Sequence, residues 1–456
     1  MTSASVSSPD GIKLMDESLK IECEWWGPSN DETDFAQACR GAIGVSVGEH
    51  CLMRLEDSWG NTVRKRLYAN AYTLAGWFAG NWWRLRWEPE TPGSREDVNW
   101  RMSHSMASAG GGFCWPSILF ASDGDSIAVA SRPSRGRVLG PVRYLTEANT
   151  RITARDFESE IDAFIGLVLS RLHSEGFPNS ELVELWAEVA RERADPKLAQ
   201  WRRLEAICGY DPDEAPAAII ELLSEDKFHL GRNASEEVAA HARHRTAEAL
   251  RAIQKLAAVK GAPAAGGFRC RPLTLRTKPR YEKGIRPWQK AAKLARRARE
   301  EWGFGKRPMS DTDLADLLRT GKNAFADRST KAATPIPLAI RNVGDDKADI
   351  YIGSSWSTSR RFASSRLFGD WLYNAGETER LIPATDARTA HQQFQRAFAQ
   401  EFLCPFDSLL ERLETEHPAT EAIEDAAKHF GVSPLAVRMT LINKGQMDRE
   451  ALMWAA

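Results

Sequence analysis

The 456-residue chain has almost no net charge, with 61 Lys+Arg set against 62 Asp+Glu and a formal balance of −1. It has no apolar run near the roughly 18 residues that span a bilayer, so a membrane-spanning helix is not expected. Its first residues, MTSASVSSPDGIK, lack the apolar centre of a secretory leader. Paired cysteine motifs are missing as well. Cys23, Cys39, Cys51, Cys114, Cys208, Cys270 and Cys404 are odd in number and scattered, with no Cys-x-x-Cys. That argues for reduced thiols in a cytoplasm and against a disulfide scaffold or a zinc ribbon. No phosphate-binding glycine loop and no internal repeat occurs, so no cofactor is expected. Because the chain is not a polycation, any nucleic-acid signal has to be local.

What is present is ample apolar material, 43% of residues, on a chain long enough for several domains. Nine of the 16 tryptophans precede residue 116, which marks the first part as a separate unit. Residues 51–57 and 63–68 read as strands around a turn, and 117–122 with 126–131 as a hairpin across Asp123-Gly124-Asp125. Between them Leu67, Ala71, Leu74, Phe78 and Trp82 recur at helical spacing. Phe157, Ile161, Phe164, Ile165, Val168, Leu169 and Leu172 then form one stripe of a helix that would cover the N-terminal sheet. Further helices are expected at about 180–192, 197–208, 213–225 and 234–258. The resulting expectation is an α+β, multidomain chain. Residues 1–175 form a Trp-rich mixed domain, 176–260 a helical middle, 261–286 a basic linker, and 287–456 a mostly helical domain with a small sheet.

Charge is concentrated at one place. Residues 269–307 hold fourteen Lys/Arg and three Glu, a local excess of +11. Arg271, Arg276, Lys278, Arg280 and Lys283, interleaved with Tyr281 and Trp288, are candidate phosphate contacts. The competing reading is a solvated linker running into a basic helix face. The block Trp82-Trp83-Arg84-Leu85-Arg86-Trp87 alternates as a strand with one apolar face would. Trp82, Trp83, Arg84, Arg86 and Trp87 are candidates for an interface, although a packed core accounts for most of them. Gly110-Gly111-Gly112 reads as a turn, and His241 with His244 as a solvated helix face.

The most specific pattern follows residue 285. A helix opens at Pro287-Trp288. Arg360-Arg361-Phe362-Ala363 is followed by Gly369-Asp370, and Phe398-Ala399 by Glu401, Leu403 and Pro405. The last landmark is Ile423…Ala426-Ala427…Phe430-Gly431-Val432-Ser433…Val437…Leu441…Gly445. Together these resemble the ImmA/IrrE family of zinc metallopeptidase-like proteins, over about residues 285–447. The family resemblance implies a His-Glu-x-x-His helix in which two histidines hold zinc and the glutamate activates water. Here the corresponding positions are Arg366, Leu367 and Asp370, and the family's third ligand falls on Gln392. An arginine is a poor zinc ligand and a leucine cannot act as a base. Catalytic residues and a metal are therefore not expected. Arg366 and Asp370, at i and i+4, would form an ion pair in the metal's place. A shifted site of Asp370, His391 and Glu401 would need His391 to face Asp370, whereas residues adjacent on a helix diverge by about 100°.

Residues 420–445 read as two short helices about a Gly431-Val432 turn, with Ser433-Pro434 starting the second. This has the pattern of a helix-turn-helix, with Arg438, Thr440, Asn443 and Lys444 as candidate contacts. It also suits a helical pair that simply closes its own domain. The resulting expectation is a non-enzymatic, regulatory or antiphage-defence protein of the bacterial cytoplasm, whose pseudo-peptidase domain binds a partner. A protein partner is favoured and DNA or RNA is an alternative. Rival readings are a DNA-binding transcriptional regulator and a metallopeptidase with unusual ligands.

Overall fold

The computed structural model describes residues 18–26, 35–134, 140–259, 263, 267–281, 284–328, 334–342, 346–374, 379–413 and 418–447. Lys283, one of the candidate basic contacts, lies outside them. The chain divides into two units, residues 1–215 and 216–456. That division falls inside the stretch expected as a helical middle. The mixed α+β, multidomain architecture is as expected.

In the first unit, β1 (Leu19–Trp25) pairs antiparallel along β2 (Arg40–Val47), which follows the short α1 (Phe35–Ala38). The other edge of β2 takes β3 (His50–Cys51) and β6 (Leu67–Asn70). A second sheet joins β4 (Leu55–Asp57) to β5 (Thr62–Arg64) and to β9 (Val142–Tyr144). A third contains the expected hairpin, β7 (Ile118–Ser122) with β8 (Ser126–Ser131), extended by β10 (Ala148–Thr153). Its turn is shaped by Asp123, whose carboxylate accepts from the backbone N–H of Asp125 and Ser126 at 3.0 and 2.7 Å, and by Gly124 at φ 97°.

The expected helix from Leu67 starts later. Leu67 belongs to β6, and Asn70 caps α2 (Ala71–Gly80) by accepting from the Tyr72 N–H at 2.8 Å. The Trp-rich block is a helix and not a strand: α3 (Trp82–Trp87) follows α2 after one residue. Alternation misled because this short helix is buried nearly all round and so shows no polar face for a period to reveal. After α4 (Val98–His104), α5 (Ala154–Ser174) buries Phe157, Ile161, Phe164, Ile165, Val168 and Leu172 as its stripe predicts, with Leu169 at the margin. Two more helices, α6 (Glu181–Ala194) and α7 (Pro196–Ile207), add Leu182, Val189 and Ala206 to the same core.

The second unit starts with α8 (Ala217–Ser224), α9 (Arg232–Ala242) and α10 (Thr246–Ala257). The single helix expected over 234–258 is broken at Arg243, which takes φ 52° and opens a 3₁₀ turn. Part of the expected linker is a strand: β11 (Gly267–Cys270) pairs with β13 (Ala348–Tyr351). The sheet continues through β12 (Leu338–Arg341) to β14 (Leu381–Pro383), all neighbours antiparallel. Around it lie α11 (Pro287–Glu301), α12 (Asp311–Leu318), α13 (Ser357–Tyr373), α14 (Ala390–Leu403), α15 (Phe406–Leu413), α16 (Thr420–Phe430) and α17 (Pro434–Asn443). Leu294 and Ala298 of α11 share one core with Phe368 of α13 and Phe398 and Phe402 of α14. A Cβ at Gly369 would land on the Phe398 ring, so glycine lets α13 and α14 approach there. Among the described residues no helix is long and apolar enough to cross a membrane.

Candidate polar cluster between two helices

The close approach of α13 to α14 brings together polar side chains that lie far apart in sequence. Arg366 is 5% exposed, Asp370 3%, and Gln392 and Gln395 are fully enclosed. The Arg366 guanidinium donates through Nη2 to Oε1 of Gln392 at 2.6 Å and to the carbonyl of Thr385 at 2.5 Å. Gln392 is itself fixed, accepting from the Thr385 N–H at 2.8 Å and donating to the Pro383 carbonyl at 3.2 Å. Asp370 takes a different set of partners. Its Oδ2 meets Nε2 of His391 at 2.6 Å and accepts from Nε2 of Gln395 at 2.6 Å, while Oδ1 accepts from Asn374 at 2.7 Å.

The expected Arg366–Asp370 ion pair is therefore not formed. Both residues lie on α13 as expected, but α14 supplies nearer partners for each: donors from His391 and Gln395 for the carboxylate, and the neutral Gln392 oxygen for the guanidinium. His391 and Gln392 do take different faces, as expected, but the face of His391 is the one that meets Asp370. His391 and Gln395, at i and i+4, share the α14 face turned to Asp370, while Gln392 reaches Arg366 from the adjoining face. Leu367 is 2% exposed and belongs to the apolar core. Glu401 bonds Arg296 at 2.8 Å. Among the described residues, no group of three or more His, Cys, Asp or Glu is placed to hold a metal ion.

The electrostatics follow from burial. Desolvation penalises the Arg366 cation and Arg396 adds repulsion, bringing it down to about 9 against the opposing pull of Asp386, Glu237 and Asp370. For His391 burial also opposes the charge, but the adjacent Asp370 carboxylate outweighs it and raises the imidazole to about 9. Burial pushes Asp370 upward, yet His391, Gln395 and Asn374 outweigh it and hold its carboxyl below the ordinary 3.8. Both shifts favour the charged form of the pair.

Linkage sets the pH window for this pair. The raised histidine contributes fully below its unfolded value of 6.5 and loses its contribution as pH climbs through about 9. The depressed aspartate contributes above 3.8 and loses its contribution as pH falls below that. The stability difference between the parent and His391→Gln, measured as a shift in urea midpoint, should peak between those limits. It should shrink on both sides. A difference independent of pH would show that the pair is not ionic.

Several contributors have no local sequence signal. Thr385 and Gln395 are legible only once α13 and α14 face each other, although the His391/Gln395 spacing on an amphipathic helix was a clue. Glu237 of α9 accepts from Thr389 Oγ1 at 2.8 Å, across 152 residues of chain. His241, expected on a solvated face, is partly buried, and burial lowers its basicity near Asp386 and Arg366. His244 lies beyond the end of α9 in the 3₁₀ turn.

The other candidate residues are distributed as follows. Arg271 is exposed and bonds Asp346 at 2.6 Å, and Lys278 donates to the Tyr373 carbonyl at 2.7 Å. Arg276 and Arg280 are exposed. Elsewhere in the basic stretch Arg269 pairs with Asp349, Arg297 with Glu301, Lys306 with Glu411 and Arg307 with Asp313. Glu301 is already counted in the +11 excess, and the acidic partners outside the stretch, Asp346, Asp349, Asp313, Glu401 and Glu411, offset five of it. Asn443 and Lys444 are exposed and Arg438 is half-buried, while Thr440 is buried and donates back to the Ala436 carbonyl. The turn between α16 and α17 is tied to α13, whose Arg361 donates to the Gly431 carbonyl at 3.0 Å. In the first unit the candidate interface is enclosed. Trp82 and Trp83 are each 4% exposed, Arg84 1% and Arg86 8%, and Trp87 is partly buried beneath the Arg86 guanidinium. Their partners belong to their own unit: Trp83 donates to Glu192, Arg84 to Glu88 and Arg86 to Glu158.

Comparison with protein-family models, with curated proteins and with solved structures found no match.

Proposed function

We propose that residues 287–456 of the second unit are a pseudo-metallopeptidase module of ImmA/IrrE type, in which a buried hydrogen-bonded cluster stands in place of a zinc site, and that it acts by binding a protein partner in a regulatory or defence role. One observation carries the reading. Arg366, Asp370 and Gln392 are the positions that the resemblance assigns to metal ligands. They fall on facing sides of two helices, and Arg366 and Gln392 are in direct contact at 2.6 Å. The position that the resemblance assigns to the catalytic base is Leu367, which is part of the apolar core and cannot take a proton. Partial neutralisation of the basic stretch by Asp346, Asp349, Asp313, Glu401 and Glu411 favours a protein over a nucleic acid as the partner.

Elemental analysis of the purified chain tests the first part of the reading. The expected result is zinc far below one per chain, before and after dialysis against zinc. One tightly held zinc lost on Asp370→Ala would overturn it and revive the unusual peptidase. Titration with duplex DNA at rising salt tests the second part. The expected result is weak binding that Lys444→Ala leaves unchanged. Tight binding with a steep salt dependence that Lys444→Ala reduces would instead establish the DNA-binding regulator.

A further inference from the structure

The sheet of β1, β2, β3 and β6 has two unlike faces. Leu19 and Ile21 of β1, Ile43, Val45 and Val47 of β2, and Leu67 and Ala69 of β6 point into the core of the first unit. The residues between them make the opposite face, where the central strand carries only the small Ala42, Gly44 and Ser46. Longer side chains stand to either side. The register sets Glu22 beside Gly44 and Glu24 beside Ala42, and Tyr68 on the other flank of Ala42. The result is a trough of about 550 Å³, which follows β2 for roughly 13 Å.

One guanidinium already lies across it. Arg66, just before β6, donates through Nη1 to Glu24 at 2.6 Å and through Nη2 to Glu22 at 3.0 Å. Its stem passes over Gly44, where an added Cβ would come within a tight 3.2 Å of Arg66 Cγ, so glycine gives the stem its room. The three charged side chains stay open to solvent, at 41% exposure for Arg66 and Glu22 and 72% for Glu24. Beside them two aromatic rings are also left open. Tyr68 and Trp26 are both about half exposed, with centroids 4.9 Å apart, and the Arg64 guanidinium lies 4.8 Å from the Tyr68 centroid. Arg64 is held by Asp57 at 3.0 Å. Glu49 adds a further carboxylate to the rim and Lys65 a further cation.

We propose that this trough binds an arginine presented by an extended segment of a partner protein, and that Arg66 is an intramolecular stand-in that gives way to it. Glu22 and Glu24 take the incoming guanidinium, and the Tyr68–Trp26 pair takes its flat face. Charge and shape together commit the occupant. The two carboxylates accept from the two ends of one planar fork, which a lysine ammonium does not reproduce. A cavity of this size, open along a strand, has room for main chain on either side of the side chain it holds. Arg66 is a weak competitor, because ion pairs this exposed contribute little in water. The site lies wholly within the first unit and does not depend on the pseudo-peptidase reading of the second.

The test uses the full-length protein and a fluorescein-labelled peptide of alternating serine and arginine, followed by anisotropy at low salt. Arg66→Ala is expected to bind it about 5-fold more tightly than the parent, because the carboxylates are no longer occupied in cis. Arg66→Met keeps the stem over Gly44, so it decides the matter if the alanine variant folds poorly. Adding Glu22→Gln and Glu24→Gln is expected to abolish the gain. A serine–lysine peptide of equal charge reads the change in net charge alone, and is expected to show little of it. Equal binding by the parent and both Arg66 variants would overturn the stand-in, and a gain that survives loss of both carboxylates would overturn the site. An equal gain with the lysine peptide would overturn recognition of guanidinium. Free arginine amide that displaces the peptide at equal concentration would overturn a partner protein as its source.

Discussion

Glu88→Ala is expected to cost the first unit about 3 kcal/mol, because a buried guanidinium loses its shorter, enclosed carboxylate partner and keeps only the more exposed Asp211. Arg84 and Glu88 bond at 2.7 Å with each side chain 1% exposed, one turn apart at the end of α3. Arg84 also reaches Asn99 and Asp211 at 3.2 Å; burial opposes its charge, and Glu88 and Asp211 together outweigh that and raise its basicity. Beside this pair the His104 ring stacks on Trp100 with centroids 4.2 Å apart, in a layer closed to water. The cost of a poorly paired buried charge exceeds the net value of the pair. Replacing both residues by leucine should therefore cost less than Glu88→Ala alone. Urea unfolding read by tryptophan fluorescence is suited to the measurement, since nine of the 16 indoles precede residue 116. A loss below about 1 kcal/mol for Glu88→Ala would mean that water or rearrangement reaches Arg84, and the closed layer would have to be abandoned.

Phe398→Ala is the second large effect, expected at about 3–5 kcal/mol for deletion of a fully enclosed ring. Phe398 packs against Phe368 and Phe402, with centroids 6.5 and 5.0 Å away, and faces the Gly369 backbone. It holds α13 against α14 immediately below the polar cluster, so its loss should be felt at Asp370 and Gln392 as well. Hydrogen exchange followed by mass spectrometry should show faster exchange in α13 and α14 and unchanged exchange in residues 18–134. Unchanged protection in both helices would separate the aromatic packing from the cluster above it.

How much of this was legible in sequence depends on the element. The long stripe of α5 and the hairpin turn at Asp123 could be read directly, because each is written within a few residues: a 3.6-residue period in one, an Asx-type turn in the other. The block at Trp82–Trp87 could not, since burial on nearly all sides removes the polar half of any period. The strand at Gly267–Cys270 looked like a linker because its partner, Ala348–Tyr351, lies some eighty residues away. In the cluster, the positions 366, 370 and 392 were singled out through the family resemblance, with Arg366 expected to pair with Asp370. Their actual partners were not.

The sequence by itself determined the class of the chain and the chemistry available to it. It set near-zero net charge, helix and strand periods, a helix-turn-helix-like tail, and an arginine, a leucine, an aspartate and a glutamine at four positions where the resemblance implies zinc ligands and a base. Tertiary structure alone decided who bonds whom. Arg366 and Asp370 are neighbours on one helix and of opposite charge, so local reasoning pairs them. Packing of α13 on α14, permitted by Gly369, instead gives the aspartate to His391 and Gln395 and leaves the arginine to Gln392. The physical reason is that a buried charge binds whichever complementary group the fold brings nearest, and sequence separation does not enter that distance.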